Sequence, residues 1–164
     1  MVTKAVLTIV LLGVYAPFLV SAASVTRILD GDTIEVTEET ETVRVRLFGI
    51  DAPEKKQPYG QRARQTLSEL VKGASDVAIR SRGTDRYGRT LADVYVKKCQ
   101  PECKTYFLNS DMVKTGFAWA YRYKGKASSP TMLLNEQEAR NKRLGLWQDD
   151  KALEPWKWRQ AHKD

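Results

Sequence analysis

Between residues 43 and 54 the chain reads Val-Arg-Val-Arg-Leu-Phe-Gly-Ile-Asp-Ala-Pro-Glu, and its first five positions alternate strictly between aliphatic and basic. A period of two places Val43, Val45 and Leu47 on one face of a β-strand and Arg44 and Arg46 on the other. Arg46 therefore points away from the local core. Gly49 breaks the strand, and Pro53 and Pro58 hold the following stretch out of regular structure, so Asp51 and Glu54 emerge at the strand's end beside an arginine. One guanidinium and two carboxylates so close together are the equipment for hydrolysing a phosphodiester.

The rest of the chain reads as further short strands with a few helices. Residues 25–29 and 33–36 are β-rich runs around Asp30-Gly31, a hairpin signal, and 43–48 is a third strand. From 61 to 72, Ala63, Leu67, Leu70 and Val71 recur at helical spacing, and Gly73 supplies a stop. Strands at 77–80 and 91–96 flank a turn over 85–89. A short helix is expected at 109–115, closed by Gly116, and an extended segment at 117–121. The last helix opens at Ser129-Pro130, an N-cap with proline in the first helical position, and runs to Gly145. The tail carrying Trp156 and Trp158 is too aromatic to read as disordered. Many short strands before a terminal helix make an α+β, mainly β domain: a small barrel with about three packed helices.

At 164 residues the chain has room for one domain with a proper core. Lys4, the apolar run 5–20 and Ser21-Ala22-Ala23 read as a signal peptide over 1–23, cut after Ala22 or Ala23, ahead of a domain at 24–164. An uncleaved anchor is the alternative, but the run is short of the roughly 20 residues a span needs and contains Gly13 and Pro17. Cleavage implies a secreted or periplasmic protein with no stable membrane association, and a monomer is expected. Losing Lys4 turns 27 basic residues into 26 against 20 acidic, a net charge of +6. That balance attracts polyanions, nucleic acid foremost, although it also serves solubility alone. Cys99 and Cys103, separated by Gln-Pro-Glu, fit a disulfide in an oxidising compartment, with free thiols the alternative. Zinc would need more ligands, and the sole histidine, His162, lies near the C-terminus.

Three segments stand out: Asp30-Gly31-Asp32-Thr33, the run from Arg46 to Glu54, and Asp85-Arg86-Tyr87-Gly88-Arg89. Together they resemble the staphylococcal nuclease (thermonuclease) family, whose site combines DGDT, RL-x-x-x-D-x-PE and D-x-YGR in this order. The resemblance extends to Tyr121-x-Tyr123 and Gly145-Leu146-Trp147. It implies an OB-fold, a five-stranded barrel with helices at its flank. It further implies Ca²⁺ held by Asp32, Asp51 and the Ala52 carbonyl, with Asp30 supporting those ligands. By the same resemblance Arg46 and Arg89 contact the reacting phosphate, Arg86 and Tyr87 approach a terminal phosphate, and Tyr121 and Tyr123 flank the nucleoside. The segment between Glu54 and the helix, 55–60, is shorter than the lysine-rich loop of the staphylococcal type member, which also lacks the Cys-Gln-Pro-Glu-Cys insert.

Chemistry gives each residue a role, and each has a plainer alternative. Two carboxylates suit a hard cation that completes its shell with carbonyls, water and phosphate, yet Asp-Gly is also an ordinary hairpin turn. Glu54 is placed to take a proton from the attacking water. Asp51-x-x-Glu54 could instead be a capping box, but Pro58 and Gly60 would break any helix nucleated there. Planar guanidiniums at Arg46 and Arg89 meet two phosphoryl oxygens at once, where a lone arginine would more often form a surface ion pair. Tyr87, Tyr121 and Tyr123, near Arg122 and Lys124, suit stacking on bases, with core packing the alternative. The expected activity is Ca²⁺-dependent hydrolysis of DNA and RNA, single strands preferred, because external water needs no 2′-hydroxyl. The rival is a non-catalytic module that binds single strands.

Overall fold

The alternation at 43–47 is realised as a sheet strand in a computed structural model that describes residues 23–162. Apart from Ala23, the expected leader lies outside the described residues. Strand β1 (Ser24–Ile28) and β2 (Thr33–Glu38) form the hairpin signalled by Asp30-Gly31, and β2 continues antiparallel to β3 (Glu41–Leu47), with Thr33 opposite Arg46. Val45 and Leu47 are fully buried, as their alternation requires, but Val43 is exposed because the β2–β3 tip carries it beyond the core. After Gly49 comes β4 (Ile50–Asp51), then an irregular stretch, then helix α1 (Gly60–Val71), which buries Ala63 and Leu67. A Cβ on Gly31 would lie 2.7 Å from those of Ala52 and Ala63, so only glycine lets the β1–β2 turn close onto both β4's flank and α1.

Strands β5 (Asp76–Thr84), β6 (Thr90–Cys99) and β7 (Cys103–Phe107) complete a sheet of order β1-β2-β3-β6-β5, with β7 on the edge of β6 beyond its short parallel ladder with β3. The cysteines, expected in a turn-like stretch, face each other at the end of the β6–β7 hairpin and are bonded, Sγ to Sγ 2.08 Å. Where β3 leaves β6 and β7 begins, fully buried Asn109 accepts from the Val94 N–H and donates to the Phe48 and Ala92 carbonyls, satisfying the backbone at the step. No ladder joins β1 to β5 among the described residues, so the sheet's hydrogen bonding is open and the structure is α+β with mostly sheet.

Helix α2 (Leu108–Lys114) covers the sheet, and β8 (Trp119–Ala120) pairs antiparallel with β4, Trp119 opposite Asp51. A hairpin of β9 (Arg122–Tyr123) and β10 (Lys126–Ala127) precedes α3 (Pro130–Asn141), capped by Ser129 as expected. The expectation that this last helix runs to Gly145 is corrected. It ends because Arg143 takes a left-handed φ of 51°, and the Arg143 and Leu144 N–H groups turn back to the Arg140 and Ala139 carbonyls. That is a Schellman stop with arginine where glycine is usual. A 3₁₀ turn (Gly145–Gln148) follows, and the aromatic tail forms α4 (Pro155–Ala161), so the described residues hold four α-helices where about three helices were expected. Trp119, Ala139, Leu146 and Trp147 make a second core, against which Tyr59, Ala152 and Trp156 pack.

Candidate active site

Arg46 shows why the β2–β3–β4 corner matters. Its side chain is only 12% exposed and bonds almost wholly within the corner. Nε meets Asp32 Oδ1 at 3.1 Å, Nη2 donates to Asp51 Oδ1 at 3.0 Å, and Nη1 donates to the Leu47 and Ile50 carbonyls, each at 3.0 Å. The planar fork is thus fixed in orientation before any ligand arrives. Asp32 is set by its own turn: its N–H donates to Asp30 Oδ1, and its carbonyl accepts from the Leu47 N–H at 2.8 Å. Oδ2 of Asp32 also accepts from the Ala52 N–H at 2.7 Å, which ties the DGDT turn to the segment leading to Glu54.

Burial pushes the Asp32 carboxyl up to about 8, despite the opposing charge of Arg46, and the neighbouring Asp30 and Asp51 add to the rise. An anion at Asp32 is therefore under-compensated. Charge crowding adds to burial, since Asp30, Asp32, Asp51 and Glu54 lie together, with the guanidiniums of Arg46 and Arg159 paired to Asp32, Asp51 and Glu54. Among the described residues no three His, Cys, Asp or Glu side chains converge as a ready-made metal cage.

Arg89 reaches the same centre from another motif. Asp85 accepts from the Tyr87 and Arg89 N–H groups through Oδ1 and from Arg89 Nε through Oδ2, closing the 85–89 turn. Burial alone would raise the Asp85 carboxyl, but these bonds outweigh it and hold the carboxyl below its ordinary value. Arg89 Nη1 then reaches Thr33 Oγ1 at 3.4 Å, while that hydroxyl donates to Asp32 Oδ1 at 3.2 Å. Tyr87 is 68% exposed, with the guanidiniums of Arg86 and Arg89 at 4.8 and 5.5 Å from its ring centroid. The ring is thus an exposed aromatic surface with two cations against it and not part of the core.

The structure thus brings together Asp30, Asp32, Arg46, Asp51, Ala52, Glu54 and, through Thr33, Arg89. Tyr121 is joined to the corner by its N–H to the Gly49 carbonyl at 2.9 Å, and Tyr123 stands exposed on the β9–β10 hairpin. Arg122, read beside them as a basic partner for nucleotides, is instead committed inward to Glu136 by two bonds of 3.0 Å. Two residues were missed by sequence reasoning. Gln57 accepts from the Glu54 N–H at 3.1 Å and donates to the Leu153 carbonyl, binding the Glu54 segment to the C-terminal strap. Arg159 on α4 lies against Asp51 Oδ2 and Glu54 Oε1, 2.7 Å from each. Burial alone would lower the Arg159 pKa, but its bonds to Asp51 and Glu54 outweigh that and raise it. The only hint of it in the sequence is the Trp-Lys-Trp-Arg run.

A sequence model of the family described as staphylococcal nuclease homologue matches residues 44–149. The chain belongs to that family. It is 48% identical over 165 residues to a micrococcal nuclease of Shigella flexneri, covering 99% of this chain and 92% of that protein. An Escherichia coli protein called ParB is 52% identical over 139 residues, 82% of this chain and 77% of its own length. An uncharacterized endonuclease of Haemophilus influenzae is 42% identical over 140 residues, 85% and 73% respectively. Within this staphylococcal nuclease relative, the matched span begins at Arg44 and so takes in Arg46 and the Asp51–Glu54 segment.

Proposed function

We propose that this protein is a Ca²⁺-dependent nuclease that hydrolyses phosphodiesters of DNA and RNA by attack of water, with Glu54 as general base. The observation that carries the reading is the buried carboxylate pair Asp32 and Asp51 around a single fixed guanidinium, with Glu54 at its exposed edge. The carboxylates of Asp30, Asp32, Asp51 and Glu54 crowd one corner, and such a cluster attracts a cation. The donors are all oxygen, so a hard cation fits, and Asp32, Asp51 and the Ala52 carbonyl would hold it. When bound, calcium supplies Lewis-acid charge to the phosphoryl oxygens.

The residues divide the remaining work. Arg46, immobilised by two backbone carbonyls, holds its charge and the remaining N–H of Nη2 ready for negative charge developing on the phosphorane oxygens. Arg89 lies toward the leaving oxygen. Glu54, its carboxylate 39% exposed, accepts the proton of the attacking water, or orients it. Arg86 and Tyr87 receive a terminal phosphate, and Tyr121 and Tyr123 flank the nucleoside, favouring single strands whose bases are free to stack. Asp30 orients Asp32 through the turn. The same reading takes the open sheet as the OB-fold barrel of the family, the protein as a monomer, and residues 1–23 as a leader that directs it to the periplasm or the medium.

The test is cleavage of denatured DNA and of RNA with and without chelator. Activity lost in EDTA and restored by Ca²⁺, with Mg²⁺ a poor substitute, is expected; full activity in EDTA contradicts the cation assignment. Binding of single strands with no cleavage under any condition would favour the non-catalytic module instead.

A further inference from the structure

Arg159 engages the oxygens that the proposed chemistry needs. Its Nη1 donates to Asp51 Oδ1 at 3.1 Å and Glu54 Oε1 at 2.7 Å, and its Nη2 to Asp51 Oδ2 at 2.7 Å. Asp51 Oδ1 accepts from Arg46 as well, so both of its lone pairs are in use, and Oδ2 has one left, facing a guanidinium. A divalent cation approaching Asp51 meets a positive charge already seated there. At such separations the repulsion is felt strongly, because the carboxylate itself is buried.

The two arginines on Asp51 differ in how they are held. Arg46 is 12% exposed and anchored by two backbone carbonyls. Arg159 is 43% exposed, and its hydrogen bonds go to Asp51 and Glu54. Its base is firmly placed: Pro155 is buried, Trp156 packs on the second core beneath the Arg122 guanidinium, and Gln57 couples the strap at Leu153 to the Glu54 segment. A long side chain on a fixed base, with only carboxylates to hold it, can swing to water while α4 stays docked.

We propose that Arg159 is a built-in competitor, a C-terminal latch whose guanidinium holds Asp51 and Glu54 in a closed resting state until a divalent cation displaces it. The proposal rests on the cation-dependent reading of the same site. In the closed state Glu54 is tied up as a hydrogen-bond acceptor and Asp51 is neutralised, so cation binding and release of the base are one event. The apparent cation affinity is then reduced by the fraction of molecules in which Arg159 is withdrawn.

Calorimetric titration of the full chain with Ca²⁺, in wild type, Arg159→Gln and Arg159→Lys, tests this, with circular dichroism checking the fold of each. Removing the latch is expected to tighten Ca²⁺ binding about tenfold in Arg159→Gln. Arg159→Lys, which keeps the charge but cannot bridge three oxygens, should fall between. Equal Ca²⁺ affinity in folded wild type and Arg159→Gln overturns the latch alone. So does unchanged affinity with a fall in kcat at saturating Ca²⁺, which would make Arg159 a positioning residue for Glu54. Absence of Ca²⁺ binding in all three proteins overturns the cation reading, and the latch with it.

Discussion

Two carboxylates in this molecule, Asp51 and Glu136, are each 1% exposed and each lie between two arginines, yet they sit in opposite electrostatic settings. Glu136 accepts from Arg122, from Arg140 and from the Ala120 N–H at 2.8 Å. Both of those arginines are backed by rings, Arg140 at 3.7 Å from Trp147 and Arg122 at 5.4 Å from Trp156. There one carboxylate meets two guanidiniums and nothing is owed. At Asp51 the arginines are shared with Asp32 and Glu54, and negative charge is in excess. A buried arginine–carboxylate pair is thus not a mark of a site by itself; the charge balance around it is.

That contrast is sharpest under mutation. Glu54→Gln should lower kcat by about 10² to 10⁴-fold, the usual worth of a general base, with an unchanged melting temperature. Loss of stability without a kinetic defect would move Glu54 to the structural class. Glu136→Ala should do the reverse. Leaving Arg122, Arg140 and the Ala120 N–H without their acceptor is expected to cost about 3–5 kcal/mol in urea unfolding, while the folded protein keeps its kcat.

Asp32 gives the contrast a pH signature. Its folded-state pKa, near 8, lies above the unfolded value, so its contribution to stability is full below about pH 4 and is lost as pH rises through 8. Metal-free wild type should therefore lose stability between these limits, and Asp32→Asn should flatten the slope. Urea midpoints measured across this range check the sign; a wild-type midpoint that rises with pH contradicts it. The smallest effect belongs to the hairpin far from both clusters. Cys99→Ser with Cys103→Ser should cost about 2 kcal/mol and leave chelator-sensitive cleavage intact, and lost cleavage at full folding would give the bridge a role in the site.

Local pattern made much of this legible. The strand alternation placed Val45, Leu47 and Arg46 correctly, Ser129-Pro130 marked the start of α3, and three short motifs marked residues that the fold does gather. What escaped depends on tertiary partners. Arg143 ends α3 without glycine, which composition does not reveal. Val43 keeps the period of the core face, but the β2–β3 hairpin runs on past the core there. Gln57 and Arg159 reach across 96 and 108 residues of sequence respectively, and no spacing rule connects them. Arg122 looked like a basic neighbour of two tyrosines because its partner, Glu136, arrives from a helix further along the chain.

Arg46 tests the assignment most directly, with Arg122 as its built-in control. Arg46→Lys and Arg122→Lys both keep charge and lose the planar fork, so kcat for cleavage of denatured DNA, measured on proteins whose fold is confirmed by circular dichroism, separates the two clusters. Arg46→Lys should lose at least about two decades in kcat, with only a modest loss in binding a nucleotide competitor. Arg122→Lys should lose stability and keep its kcat. Near-wild-type kcat in folded Arg46→Lys would remove that residue from the chemistry and return this corner to the non-catalytic reading.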